Sequence, residues 1–271
     1  MSNIFIKFNQ SIKAQWNLLL IALVFFTRIP VAKFTDFNQQ RLNQSSRYFS
    51  LVGWIVGGVS SAVFLVMNIY FSDNIALLFS MLISVFLTGC FHEDGLADTC
   101  DGFGGGWKKQ DKLNIMKDSR LGTYGAVSLW FILTLKYFLL LETNAIVIAL
   151  LIAHPLSRSI SSAMIYFLPY VMDEEKSKIK PLAESHRTSD FLINMLFGLM
   201  GLILLTHAIH SLILLFALLI AFFILRKIFI SQIGGFTGDT LGATQQISEI
   251  VIYMMLVVFL GSTGSLFGSS I

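Results

Sequence analysis

Eight long apolar runs decide what this chain can fold into. They lie near 15–32, 48–71, 75–91, 124–141, 144–169, 191–207, 209–226 and 249–268. Crossing the ~30 Å hydrocarbon core of a bilayer as a helix takes roughly 20 apolar residues. Backbone N–H and C=O groups find no partners in lipid, so runs this rich in Leu, Ile, Phe and Ala must close their hydrogen bonds internally as helices. The expected fold is all-α: a polytopic integral membrane helical bundle with seven spans plus an N-terminal re-entrant, interfacial or eighth helix. Composition agrees, since 13% of the 271 residues are charged, against about one-quarter in soluble domains. A net charge of +3 spread over the chain excludes nucleic acid as a partner and leaves the lipid bilayer. No repeat divides residues 1–271, which read as a single membrane-embedded catalytic domain; a homo-oligomer stays open.

The connections fall into two kinds. Those at 72–74, 142–143 and 207–209 are short and hold Asp73 and Glu142 but no lysine or arginine. Those at 33–47, 92–123, 170–190 and 227–248 are long and basic, with Lys33, Arg41, Arg47, Lys108, Lys109, Lys112, Lys117, Arg120, Arg187 and Lys227 among their residues. Positive charge marks cytoplasmic loops, so the long connections are expected inside and the tight hairpins outside. The first run keeps Lys7 and Lys13 on the side of Arg28 only as a re-entrant or interfacial helix, the preferred reading. Arg28 and Pro30 follow it without a small-residue cleavage pattern, so it is expected to be retained.

One polar stretch breaks this apolar background. Residues 91–106 place Glu93, Asp94, Asp98 and Asp101 between the third run and the cluster Gly102-Phe-Gly-Gly-Gly106. If the helix of 75–91 continues unbroken to 101, it is ~40 Å long and carries its acids to the cytoplasmic mouth. Asp94, Asp98 and Asp101 then fall at about 0°, 40° and −20° around its axis, on one face. Anions this close need a compensating cation, and hard oxygen ligands favour magnesium, manganese or calcium. The glycines are expected to end the helix and to let backbone N–H groups of Gly104 and Gly105 approach an anion.

Further polar residues are candidates to complete the site. Lys117 and Arg120 precede the next span, with Asp118 or Ser119 as its expected N-cap. Arg158 lies inside the span 144–169, where an arginine marks a functional site by default. His154, one turn before it, reads as a packed histidine. Asp239 sits between glycines and hydroxyls on the same side as the acidic helix end; it is a candidate further metal ligand, with Thr237, Thr240 and Gln245 as polar substrate contacts. Lys136 is expected to snorkel to the external interface without a catalytic role. Cys90 and Cys100 form no disulfide or zinc pattern and read as small packing residues. The run Asp173-Glu-Glu-Lys-Ser-Lys-Ile-Lys-Pro181 reads as a solvated charge run, and the Gly/Ser-rich C-terminus as a frayed end.

Four segments together carry a resemblance. They are Thr27-Arg-Ile-Pro-Val31, Phe91-His-Glu-Asp-Gly-Leu-Ala-Asp-Thr-Cys-Asp-Gly-Phe103, Met116-Lys-Asp-Ser-Arg-Leu-Gly-Thr-Tyr-Gly125 and Gly235-Phe-Thr-Gly-Asp-Thr-Leu-Gly-Ala243. In this order they resemble the adenosylcobinamide-GDP ribazoletransferase, or cobalamin synthase, family across nearly the whole chain. Glu93 and Cys100 depart from the apolar and small residues expected there in many relatives. The resemblance implies a bacterial inner-membrane enzyme with its active site facing the cytoplasm. Its substrates would be adenosylcobinamide-GDP and α-ribazole or its 5′-phosphate. A ribose hydroxyl attacks the cobinamide-linked phosphorus, GMP leaves, and Mg2+ is the cofactor. In that picture Asp94, Asp98 and Asp101 hold the metal, Glu93 or Asp239 adds a ligand or a base, and Lys117, Arg120 and Arg158 neutralise phosphate.

Two other readings compete. A CDP-alcohol phosphotransferase also places spaced aspartates at a membrane-facing helix end, but its Asp-Gly-Ala-Arg opening is not matched by Asp94-Gly-Leu-Ala-Asp98. A cation-coupled transporter would carry charges near mid-bilayer on broken helices, whereas these acids cluster at one mouth.

Overall fold

The computed structural model describes residues 2–171 and 186–261, and side chains from Ile12 onward. The charge run at 173–181 and the C-terminal Gly/Ser stretch from 262 lie outside the described residues. Eleven α-helices account for most of the described chain: α1 (Ser2–Phe26), α2 (Gln39–Ser45), α3 (Phe49–Asn68), α4 (Asp73–Thr88), α5 (Phe91–Gly105), α6 (Lys109–Met116), α7 (Thr123–Glu142), α8 (Ile146–Phe167), α9 (Thr188–Leu199), α10 (Ala208–Ile233) and α11 (Gly238–Leu260). Helices α3, α4, α7, α8, α9, α10 and α11 stand where the seven spanning runs were expected.

Five of them are long and apolar enough to cross a bilayer unaided: α3 taken with α2, then α7, α8, α10 and α11. Helix α4 has 16 residues and reaches span length only together with α5, from which it is bent by 82°. Helix α9 reaches Leu204 through a 3-10 turn and is a shorter apolar element. Helix α8 is the hub, and its buried face runs from Ile146 to Ile165. Helices α3, α9 and α11 pack on it, and Gly53 of α3 lies so close that a Cβ there would sit 2.5 Å from the His154 carbonyl oxygen. The main core joins Leu77, Leu140, Leu150, Ile152, Leu156, Leu214, Ile252 and Leu256 from five helices. Helix α1 packs its second half on the first turns of α3 through Ile21, Phe26, Phe49 and Val52, while Gln15 accepts a hydrogen bond from the Tyr48 hydroxyl at 2.7 Å.

Two expectations about the mouth are overturned. The helix from 75 does not run unbroken to 101: Gly89 and Cys90 both take left-handed backbone angles, φ 67° and 60°, and α5 starts afresh in a new direction. The physical cause is a glycine C-cap, whose hydrogen bonds from Gly89 and Cys90 close onto Phe86 and Val85. The expected loop at 227–248 also shrinks to four residues, because α10 continues to Ile233 and α11 begins at Gly238. The polar residues up to 248 were read as loop because they are polar; Thr240, Thr244, Gln245, Gln246 and Ser248 instead lie on the buried face of a helix. A bridge between Tyr170 and Phe236 ties this turn to the end of α8.

Candidate active site

Helix α5 lies across the ends of α7 and α11 and builds the site at both crossings. At the first, Gly95 meets Gly242: a Cβ on Gly95 would stand 2.9 Å from the Asp239 carbonyl oxygen and 3.2 Å from the Gly242 Cα. Only two glycines allow backbones to approach this closely, and the approach carries Asp94 and Asp98 of α5 beside Asp239 in the first turn of α11. Thr237 opens α11 as its N-cap, accepting from the Thr240 N–H while the Thr240 hydroxyl accepts from the Thr237 N–H.

At the second crossing Asp101 serves α7. Its carboxylate accepts from the N–H of Gly122 at 2.8 Å and of Gly125 at 2.9 Å, satisfying two donors that a helix N-terminus leaves free. Both positions need glycine, since a Cβ at either would stand 2.4 Å from an Asp101 oxygen. A cleft of about 560 Å³ opens here, lined by Asp101, Gly105, Asp118, Arg120, Gly122 and Tyr124.

The mouth is electrostatically unbalanced. We read α5, turned away from α4, as lying outside the spans. Asp98 within it is pushed up to about 7, first by burial and then by the charges of Asp239, Asp94 and Asp101. Among the described residues, no lysine or arginine forms an ion pair with Asp94, Asp98 or Asp239. Among the described residues, no group of three or more His, Cys, Asp or Glu side chains is placed closely enough to hold a metal ion as it stands. The donors nonetheless suit Mg2+: all are carboxylate oxygens, they repel one another, and magnesium uses few protein ligands and leaves positions for phosphates.

Comparison with known proteins now adds to this geometry. A family model described as cobalamin-5-phosphate synthase matches residues 18–257. The chain belongs to that family. It is 47% identical to the adenosylcobinamide-GDP ribazoletransferase of Shewanella piezotolerans over 254 residues, covering 92% of this chain and 98% of the relative. Proteins of the same name from Shewanella pealeana and Shewanella oneidensis are each 46% identical, over 254 and 247 residues; they cover 92% and 89% of this chain, and 98% and 94% of the relatives. No solved structure matches.

Within this cobalamin synthase frame the structure separates the expected site residues. Asp94, Asp98 and Asp239 come together, whereas Asp101 has both oxygens engaged as the α7 cap. Glu93 turns inward, where it is buried and accepts from Gln246 at 3.0 Å. Gly104 and Gly105 do not form an anion loop: they are in the last turn of α5, which Gly106 caps, and Gly104 makes room for the Tyr124 ring. Thr237 and Thr240 direct their hydroxyls into the α11 cap. Asp118 and Ser119 do not cap α7; Asp118 binds Arg120 instead. Arg120, with its side chain 86% exposed, and the exposed Lys117 remain at the surface. Arg158 does not reach the mouth: it is 1% exposed, donates to the His154 carbonyl at 2.8 Å and stands 5.7 Å from the Phe49 ring.

Three residues escaped sequence reasoning. Lys136 does not snorkel outward. It is buried and pairs with Glu249 at 2.5 Å, while His154 Nδ1 contacts the other Glu249 oxygen at 2.9 Å. A lysine and a glutamate both inside apolar runs were the available signal. Arg28 is the third: its guanidinium packs on Gly89, where a Cβ would stand 2.2 Å from Nε. It thus lies at the helix break beside the acidic segment.

Proposed function

We propose that this protein joins adenosylcobinamide-GDP to α-ribazole or its 5′-phosphate with release of GMP, using Mg2+ at the bacterial inner membrane and a site facing the cytoplasm. The observation that carries the site assignment is the Gly95–Gly242 crossing, which gathers Asp94, Asp98 and Asp239 without a lysine or arginine paired to them among the described residues. These three carboxylates would hold Mg2+. Bound there, the ion would offset charge on the substrate pyrophosphate and on departing GMP.

In the reaction, a ribose hydroxyl oxygen bonds to the cobinamide-linked phosphorus. The bond from that phosphorus to the oxygen of GMP breaks, and the hydroxyl proton passes to a carboxylate of the cluster. Arg120 lines the adjoining cleft and is exposed, so exchanging Asp118 for substrate phosphate costs little desolvation. Asp101 orients the first turn of α7 and so shapes the same cleft. The orientation follows charge: Arg41, Arg47, Lys108, Lys109, Lys112 and Lys117 all precede spans at the end bearing the site.

The test is GMP release by purified, lipid-reconstituted protein with each substrate and Mg2+ omitted in turn. Release only with all three supports the reading. Release without α-ribazole would make the protein a hydrolase, and uptake of cobinamide into vesicles without GMP release would make it a transporter.

A further inference from the structure

Beneath α5, inside the bundle, lies a second polar cluster that the reaction does not use. Glu249, near the middle of α11, binds Lys136 at 2.5 Å, His154 at 2.9 Å and Gln245 Nε2 at 2.6 Å. Lys136 also donates to Gln246 Oε1 at 2.6 Å. Gln246 Nε2 in turn donates to Gln245 Oε1 at 2.8 Å and to Glu93 Oε1 at 3.0 Å. A continuous chain of hydrogen bonds therefore connects Glu249 to Glu93, the residue before Asp94. Lys136 and Arg158 match Glu93 and Glu249 in charge, and a neutral His154 bonded to Glu249 through Nδ1 carries its proton there, leaving Nε2 bare.

Four buried atoms around this chain have no partner among the described residues: His92 Nε2, Glu93 Oε2, His154 Nε2 and Arg158 Nε. All four residues line one cavity of about 20 Å³. One water needs roughly 10–15 Å³ on that measure, and two to four polar partners. The atoms also match a water in kind. Arg158 Nε is a donor and Glu93 Oε2 and the unprotonated His154 Nε2 are acceptors; with neutral His92 in its Nε2–H tautomer the four make the two-and-two set a water satisfies. The cavity is too small for any part of a nucleotide.

We propose that this cavity holds a single structural water joining His92, Glu93, His154 and Arg158, and that Glu93 is a positioning residue rather than a metal ligand. Glu93 is the link by which the interior network fixes the first turn of α5, and with it the placement of Asp94 and Asp98 against Asp239. This rests on the reading of Asp94, Asp98 and Asp239 as the cation-holding face.

The test pairs Glu93→Gln and Gln246→Leu with Asp98→Asn, in reconstituted protein. Mn2+ binding is followed by electron paramagnetic resonance, turnover by GMP release and folding by thermal melting. In both network variants turnover should fall by about tenfold or more while Mn2+ affinity stays within about twofold; Asp98→Asn should lose Mn2+ binding. A tenfold loss of Mn2+ affinity in Glu93→Gln would make Glu93 a ligand, and full turnover in both network variants would remove the positioning role. Should Glu93→Gln fail to fold, Gln246→Leu, one link away from α5, decides alone. Mn2+ binding that survives Asp98→Asn would sink the cation face instead, leaving turnover to judge the network. A structure at about 2 Å should show one water bonded to at least three of the four atoms; a dry cavity would overturn that half.

Discussion

Glu93 and Asp94 are neighbours in sequence and belong to opposite electrostatic regimes. On the inner side, two acids and two bases are enclosed together, and most of their polar atoms are paired. On the outer side, Asp94, Asp98 and Asp239 share a half-open mouth without an ion pair among the described residues. Enclosed charge in a bilayer persists only when balanced. Charge left unbalanced at a mouth is compensated by what binds there. The same helix therefore carries an enclosed, paired carboxylate and the carboxylates proposed to hold the cation, told apart by partners rather than by residue type.

Unbalancing the inner region should give the largest effect. Glu249→Ala leaves Lys136 buried without its counter-charge, a change that costs about 3–5 kcal/mol in buried pairs. Removing both charges in a Lys136→Met/Glu249→Leu protein should recover most of that loss, because apolar replacement of a buried pair is often neutral. Equilibrium unfolding in mixed micelles measures both. Equal destabilisation of the single and double variants would show that the network is not held by charge pairing.

At the mouth the same kind of substitution should do the reverse. Asp98→Asn removes a repelled carboxylate, so thermal stability should hold or rise while GMP release falls by at least about two orders of magnitude. Full activity in this variant would remove Asp98 from the site. Loss of activity together with a large loss of stability would erase the contrast between the two regions.

Legibility in the sequence follows the same division. The seven helices were readable because lipid leaves apolar runs no alternative to helix, and the alignment of Asp94, Asp98 and Asp101 on one face holds within α5 itself. What was not readable depends on distant partners. Nothing local to Asp101 says that its acceptors face the N–H groups of Gly122 and Gly125, although two glycines three apart at a helix start were a clue. Lys136 alone looks like a snorkelling lysine; only the packing of α7 against α11 shows Glu249 beside it. The break at Gly89 was missed because a glycine after an apolar run was weighed as a helix residue, not as a left-handed cap.

A milder change tests how precisely the two regions are registered. Gly95→Ala would force its Cβ to within 2.9 Å of the Asp239 carbonyl, pushing α11 from α5 without removing any charge. Overpacking of this kind costs about 1–3 kcal/mol, and misplacing Asp239 should lower turnover about tenfold. Gly58→Ala, where a Cβ meets nothing within 4 Å, is the control: turnover should be unchanged and stability should hold or rise slightly, as for a glycine replaced by alanine inside a helix. If Gly95→Ala also leaves turnover unchanged, the crossing does not set the site.

The smallest effect is the one that links charge imbalance to the cation. Asp98 in the folded protein holds its proton up to about 7 against an ordinary 3.8. The folded state thus binds that proton more tightly than the unfolded chain. Its contribution to stability is complete below about pH 4 and disappears as the pH rises through about 7. Near pH 7.5 the ionised mouth therefore works against folding, and a divalent cation bound by Asp94, Asp98 and Asp239 should restore what ionisation removes. Millimolar Mg2+ should raise the melting temperature of the wild-type protein by a few degrees, about the shift expected from 1 kcal/mol of linked binding in a chain of this size. Asp98→Asn should show little or no shift, and Glu249→Gln, whose defect lies on the balanced side, should show the full one. A shift preserved in Asp98→Asn and lost in Glu249→Gln would place the cation inside the bundle and exchange the roles of the two regions.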